Sequence, residues 1–346
     1  MKRTALVLLL AALPASAQSF ADDTPFGGSD VFSMGLNPRA NPARFDQVLE
    51  GLYLGVDAGD LKPRGAHDAA TAMITAEADP SQLPSALMKV QSHPWSQRTR
   101  SYGLAWAWTG GVRFGYTHED LRGTYATPDI SVGNVTFDAR QAVVDRIYVG
   151  AGSKAGSSAL GFTLRLERVR FGQESLALTP TPGQSPLGDP ELPLNGFNTP
   201  QGVTSATLDA GYLLDITDHL HFGLTLDRIA GRSFGDLREN PQGRAGLQMD
   251  LSSSWKLSFE SDLNGAERLP VPVKRRIQAA SLHILLSPAA SLSLGAERRR
   301  FEGAPQSTVV GAALHLTSNP WVFSFGFRFG DDRPLAAAAI RLPGGL

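Results

Sequence analysis

The residues of this chain that could do chemistry are seven histidines and several runs of charge; cysteine is absent, so disulfides, thiolate metal sites and a cysteine nucleophile are excluded. The histidines are His67, His93, His118, His219, His221, His283 and His315. Only His219 and His221 are close in sequence. At i,i+2 on a strand they would share one face, a spacing that a metal could use, but beside them stands only Asp218 and a third ligand is not evident. A solvated turn is the expectation there. No His-x-Ser pair of the form that barrel lipid hydrolases use occurs, so nucleophilic catalysis of that kind lacks a candidate. These residues predict neither an enzyme nor a cofactor or metal site.

Charge comes in two arrangements. Asp209, Asp227, Asp250, Lys256, Glu260, Asp262, Glu297 and Arg328, together with Arg165 and Arg341, occupy the polar parity of stretches whose other parity is apolar. If those polar sides enclose a lumen, the mixed signs should pair, because an unpaired charge there costs several kcal/mol. Such cross-links narrow a bore, so a wide, non-selective pore is disfavoured. The second arrangement is two basic runs, Lys274-Arg275-Arg276 and Arg298-Arg299-Arg300. In a hairpin turning at Ser287-Pro288 the two runs become neighbours, and the expectation is a basic extracellular rim that either binds lipopolysaccharide phosphates or is a solvated border keeping charge out of the hydrocarbon. The formal net charge of -1 argues against nucleic acid as a partner.

The elements that must position these residues are strands. Trp321, Phe323, Phe325, Phe327 and Phe329 stand at every second position, with Val322, Ser324, Gly326 and Arg328 between them. Period two puts the five aromatics on one side. Leaving them in water would forfeit roughly 1.5 to 3 kcal/mol each, so the row must meet a core or lipid. The same alternation recurs in about fourteen segments, near 48–58, 99–109, 111–121, 130–150 (interrupted), 158–171, 203–215, 219–230, 243–252, 255–263, 275–286, 289–300, 307–317, 319–329 and 334–342. Each is close to the ~10 residues that a tilted membrane strand requires, longer than the ~5 to 6 of ordinary sheets.

Links after even-numbered segments are short, whereas most links after odd-numbered ones are long: 59–98, 122–129, 172–202, 231–242 and 264–274. A secreted β-sandwich would alternate too, but nothing would confine its long loops to one end. The predicted fold is therefore all-β, a transmembrane antiparallel β-barrel of about fourteen strands over 48–346, its aromatic row facing lipid. Within the first long link, residues 68–94 read as one or two short helices, with Asp79-Pro80 as the start signal. The link at 178–202 is a proline-rich excursion.

The first residues, MKRTALVLLLAALPASAQ, join two cations to a short apolar run and Ala15-Ser16-Ala17, which predicts a secretory signal peptide over 1–17. The bacterial outer membrane is the expected destination, and outer-membrane lipid an expected partner. Residues 18–47 are rich in turn formers, with Asn37-Pro38 and Asn41-Pro42-Ala43, and are expected either to fold compactly as a plug-like segment at the barrel mouth or to form a turn that leads the chain into its first strand.

Asn41-Pro42-Ala43 ahead of the first strand, followed by about fourteen strands, resembles the FadL-type (fatty-acid transporter) superfamily of outer-membrane barrels. The stretch from Gly243 to Phe301 looks more like its TraF/PorV-type branch. The transporter resemblance implies an N-terminal segment lodged in the lumen and passage of hydrophobic small molecules without chemical change. The TraF/PorV likeness implies the alternative, an accessory barrel that docks a secretion, conjugation or surface protein.

Overall fold

The protein is described from a computed structural model, which covers residues 41–43, 50–61, 79–82, 84–86, 88, 95–108, 110–129, 134–178, 201–234, 237–269, 271–302, 306–318, 321–329 and 335–343. The expected signal peptide, Asn37-Pro38, most of the plug-like segment and the proline-rich excursion lie outside the described residues.

Fourteen long strands form the wall: β1 (Gly51–Leu61), β2 (Trp95–Trp108), β3 (Val112–Asp129), β4 (Asn134–Ala155), β5 (Ser158–Leu178), β6 (Gln201–Thr217), β7 (Leu220–Asp227), β10 (Gln242–Asp250), β11 (Trp255–Asp262), β13 (Val271–Ser287), β14 (Ala290–Phe301), β15 (Ser307–Ser318), β16 (Trp321–Phe329) and β17 (Leu335–Pro343). Three short ones lie in the connections: β8 (Arg232–Phe234), β9 (Leu237–Glu239) and β12 (Ala266–Arg268). Each long strand pairs antiparallel with its neighbour in the chain, skipping the short ones. Two pairings complete the ring, β1 with β17 from Gly51↔Pro343 to Ala58↔Ala336, and β11 with β13 from Trp255↔Ile284 to Ser261↔Gln278. Every long strand thus has two partners and the cylinder is closed, which leaves no unpaired edge in a hydrocarbon environment.

Alternation decides the two surfaces. On β5, Leu160, Phe162, Leu164 and Leu166 are exposed, while Ala159, Gly161, Thr163, Arg165, Glu167 and Val169 between them are buried. Trp321 is exposed and Phe323 and Phe325 half-buried on the outer side, with Gly326 buried on the inner one. Phe327 and Phe329 pair through their backbones with Ala312 and Val310, and Arg328 with Gly311; the side chains of all three lie outside the described residues. The interior is accordingly polar: the largest fully buried side chains are Arg113, Arg140, Arg146, Arg165 and Arg228. This inverts a soluble core and suits a wall whose outer face meets lipid.

Turns at one end are tight, as at Gly110-Gly111, Gly156-Ser157, Asp218-His219 and Pro288-Ala289. At the other end two expectations are corrected. The link expected over 122–129 is strand, since β3 runs on to Asp129, which pairs with Asn134. The segment expected as interrupted over 130–150 is β4, continuous from Asn134 to Ala155. From Arg122 to Asp129 the residues are Arg-Gly-Thr-Tyr-Ala-Thr-Pro-Asp, with turn-forming types and no apolar parity, so the contrast that marks a strand disappears although the ladder continues. In the first long link, Pro80–Gln82 forms a single 3-10 turn capped by Asp79, whose carboxylate accepts from the Ser81 amide at 3.2 Å and the Ser81 hydroxyl at 2.7 Å.

Candidate functional site in the lumen

The inner face of β5 passes through three zones from the turn end to the loop end: Ala159 and Gly161, then Arg165 and Glu167, then Val169 and Phe171. In the first zone the wall carries a dent. Gly161 on β5 lies directly opposite Gly211 on β6, and Asn41-Pro42-Ala43 is seated there, all three residues buried. A Cβ at Gly211 would overlap Asn41 Oδ1, and one at Gly161 would overlap the Pro42 carbonyl. Asn41 folds the element back on itself by accepting the Ala43 amide at 3.0 Å, and donates from Nδ2 to the Tyr212 carbonyl at 3.4 Å. Ala43 packs on Ala159 and Leu213.

The middle zone is a layer of ion pairs. Arg146 on β4 holds Glu119 of β3 at 2.6 Å and Glu167 of β5. Arg165 on β5 holds Asp209 of β6 and Asp227 of β7. Arg268 on β12 reaches Asp227 at 2.7 Å. From the β7–β10 connection, Arg228 contacts Glu239 at 3.1 Å, and Arg232 contacts both Glu239 and Glu167. Further round, Arg244 pairs with Asp262 at 2.7 Å and Glu260 at 3.6 Å, and Arg299 with Glu297 at 2.5 Å, while Lys256 with Asp250 at 2.8 Å lies outside the layer, beside the β10–β11 turn and partly exposed. Every one of these strand charges is on the inner face. Removing one partner from such a buried network costs about 3–5 kcal/mol, because the survivor is left uncompensated.

The β8–β9 hairpin, which does not span the wall, closes the layer from above. Burial alone would raise the Glu239 carboxyl, yet the guanidinium groups of Arg228, Arg232 and Arg268 hold it down at about 2. The hairpin also carries Phe234 and Leu237, which meet Leu121, Ala142, Val144, Val169 and Leu269 in the third zone, with Phe171 against them. The Phe171 and Phe234 ring centroids are 6.2 Å apart. An apolar cap therefore sits on the charged layer, under the loops.

The opposite inner wall carries a strip of small groups, Ala105 and Ala107 on β2, Ser281 on β13, Ser293 on β14, and Gly311 and Ala313 on β15, all buried, beside the Glu297–Arg299 pair and Tyr53. There Ser293 Oγ lies 2.9 Å from His283 Nδ1 and 3.4 Å from His315 Nε2. This hydrogen-bonded row depends on register across three strands and gave no local signal in sequence.

Other candidates are redistributed. His219 lies in a turn, while His221 faces the lumen beside Asp215 at 2.7 Å and Asp250 at 3.7 Å, so the pair does not share a site. Among the described residues no group of three potential metal ligands occurs. The basic runs do meet, Arg276 opposite Arg300 and Gln278 opposite Arg298, but not as one rim of six. Strand parity turns Arg275 and Arg299 into the lumen and leaves Lys274, Arg276, Arg298 and Arg300 exposed outside. Arg146, Glu119, Glu167, Arg232 and Glu239, the centre of the network, were missed from sequence. For Arg146 and Glu167 the signal was available in parity, since both lie at inward positions.

The geometry defines a closed fourteen-stranded antiparallel transmembrane β-barrel with a docked N-terminal turn and an infolded hairpin. No family model matches the chain, and no curated protein matches it. Among solved structures its fold is similar to that of the CymD monoaromatic hydrocarbon channel, at 9% identity over 92% of this chain and 96% of that one, with a TM-score of 0.57. It is also similar to the Pseudomonas putida toluene transporter TodX, at 9% identity over 94% and 96% of the two chains, with a TM-score of 0.50. A TodX mutant lacking S2S3 aligns at 11% identity over 89% and 93%, with a TM-score of 0.51.

Proposed function

We propose that this protein is an exported outer-membrane barrel that passes hydrophobic small molecules without changing them chemically. The observation that carries the reading is the apolar cap of Phe171, Phe234, Leu237, Leu269, Leu121, Val144 and Val169 at the loop end of an otherwise charged lumen. Its six core members are packed on one another and at most 5% exposed, with Phe171 half-buried at the edge, so apolar side chains and not water close this end of the described lumen. An apolar solute would enter by parting this cluster and exchanging one set of apolar contacts for another, whereas an ion would have to shed its hydration there.

Beneath the cap the ion-pair layer is a poor medium for an apolar solute. The strip of Ala105, Ser281, Gly311 and Ala313 is the least bulky part of the inner wall among the described residues, and we take it as the route past that layer. The fold shared with proteins whose names specify monoaromatic hydrocarbon or toluene makes that compound class the first cargo to test. Residues 1–17 would direct export, and residues 18–47 would form the plug of which Asn41-Pro42-Ala43 is the docked end.

The test is uptake of radiolabelled toluene by cells lacking the gene, complemented with the native chain or with Ala313→Trp. The reading expects uptake above the deletion strain for the native chain, and at least a several-fold loss for the variant at equal outer-membrane abundance. Equal uptake by deletion and complemented strains, with toluene and with a fatty acid, would sink it.

A further inference from the structure

The outer surface of the barrel is as uneven as its lumen. On β14 the outward residues run Leu292, Leu294, Ala296, Arg298, Arg300 towards the loop end; on β13 they run Ile284, Leu282, Ala280, Gln278, Arg276, Lys274. Both strands change from apolar to cationic at the same height, because Gln278 pairs with Arg298 and Arg276 with Arg300. On β5 the change falls between Leu166 and Arg168. The turn end is different: the outward residues there include Trp108, Trp255 and Trp321, exposed by 43%, 45% and 41%. Among the described residues, every outward-facing cation of the wall is at the loop end.

The loop-end cations are not all alike. On β3 to β5 they are partly neutralised where they stand, Arg122 by Asp120 at 3.1 Å and Arg170 by Asp145 at 3.4 Å. On β13 and β14 four cations share one face, and the carboxylate beside them among the described residues is Glu302, 3.3 Å from Lys274 with both side chains largely exposed. Like charges directly opposite across a ladder are destabilising, so Arg276 and Arg300 side by side favour an anion between them. Arg276 is held against the wall by donating to the Asp262 and Leu263 carbonyls at 3.2 and 2.9 Å. A fixed guanidinium can meet a phosphate with two parallel hydrogen bonds at small entropic cost.

We propose that Lys274, Arg276, Arg298 and Arg300 form a binding site, on the lipid-facing surface, for the phosphate groups of a phosphorylated glycolipid of the lipopolysaccharide type. The acyl chains of such a lipid lie along Leu282, Leu292 and Leu294, and its phosphates reach the four cations directly above. The site rests on the outer-membrane setting proposed above and not on any cargo.

The experiment isolates the folded barrel from outer membranes in mild detergent and measures co-purified lipopolysaccharide by its phosphate and hydroxy-fatty-acid content. Native protein, Arg298→Glu/Arg300→Glu and the milder Arg298→Gln/Arg300→Gln are compared with Arg168→Gln as a control on another strand. Retention should fall tenfold or more in the Glu variant and several-fold in the Gln variant, remain within twofold in the control, and resist washing with millimolar inorganic phosphate. Unchanged retention in both double variants overturns the site, and release by free phosphate assigns it to the free anion instead of the lipid. Should the Glu variant fail to give the heat-modifiable band of a folded barrel, the Gln variant decides. Absence of the native chain from the outer-membrane fraction would reject the setting, an outcome distinct from a folded barrel that carries no glycolipid.

Discussion

Gly161 and Gly211 face each other across β5 and β6, and the space their missing side chains leave is filled by Asn41 and Pro42. A segment more than a hundred residues upstream is thereby fixed to the wall through backbone shape and one carbonyl.

Gly211→Val should expel this turn while leaving the barrel folded, because the ladder itself is unaffected by a branched residue. Limited proteolysis of the purified protein in detergent should then cut near Asn41 at least tenfold faster than in the native chain. Gly202→Ala, where a Cβ meets side-chain atoms no nearer than 3.9 Å, should leave the rate unchanged.

Arg146→Met removes the shared partner of Glu119 and Glu167 and should destabilise the barrel by about 3–5 kcal/mol. Equilibrium urea unfolding into and out of lipid vesicles measures this. A loss below 1 kcal/mol would mean that water reaches the layer and screens it.

The Tyr148 ring lies over its cross-strand partner Gly115, where a Cβ would overlap it, and Arg113 sits 5.5 Å from the ring centroid. Tyr148→Ala should cost about 3–5 kcal/mol, the usual scale for a large buried side chain. Gly115→Val should be harmful alone and partly restorative in the Tyr148→Ala background, a sign reversal that a double-mutant cycle in the same unfolding assay would detect.

The Glu239 carboxyl, ordinarily at 4.5, is held at about 2 within the folded hairpin. Its folded value lies below its unfolded value, so its contribution is fully present above about pH 4.5 and is lost as pH falls towards 2. Protease sensitivity of the 228–241 connection, read with an acid-active enzyme, should rise through that window. Glu239→Gln should make the connection sensitive at pH 5 to 7 and flatten the dependence.

The strands were legible in sequence where their two faces differ in polarity, as on β14 and β16. They were not legible over 122–129 of β3, where Gly123, Pro128 and Asp129 are turn-forming types and the two parities do not differ in polarity. Parity also assigned Arg299 to the lumen, since it lies between two outward residues, but reading Arg298-Arg299-Arg300 as one block concealed this. Partnerships such as Arg146 with Glu167, or His283 with Ser293 and His315, are set by register between strands. Local pattern specifies a face and not the residue met across the ladder.

The unequal lengths of the strands have a consequence for access. β4 has 22 residues and β16 has 9, a difference of 13, or about 40 Å along the strand at ~3.3 Å per residue. The described wall is therefore high at β3, β4 and β5 and low at two places, at β16 and β17 with 9 residues each and at β7, β10 and β11 with 8, 9 and 8, where the β8–β9 hairpin folds in. For the hydrophobic cargo proposed above, the low stretch at β16 and β17 is then the shorter path along the wall between the outer surface and the lumen, and lengthening those strands would be the way to lengthen it.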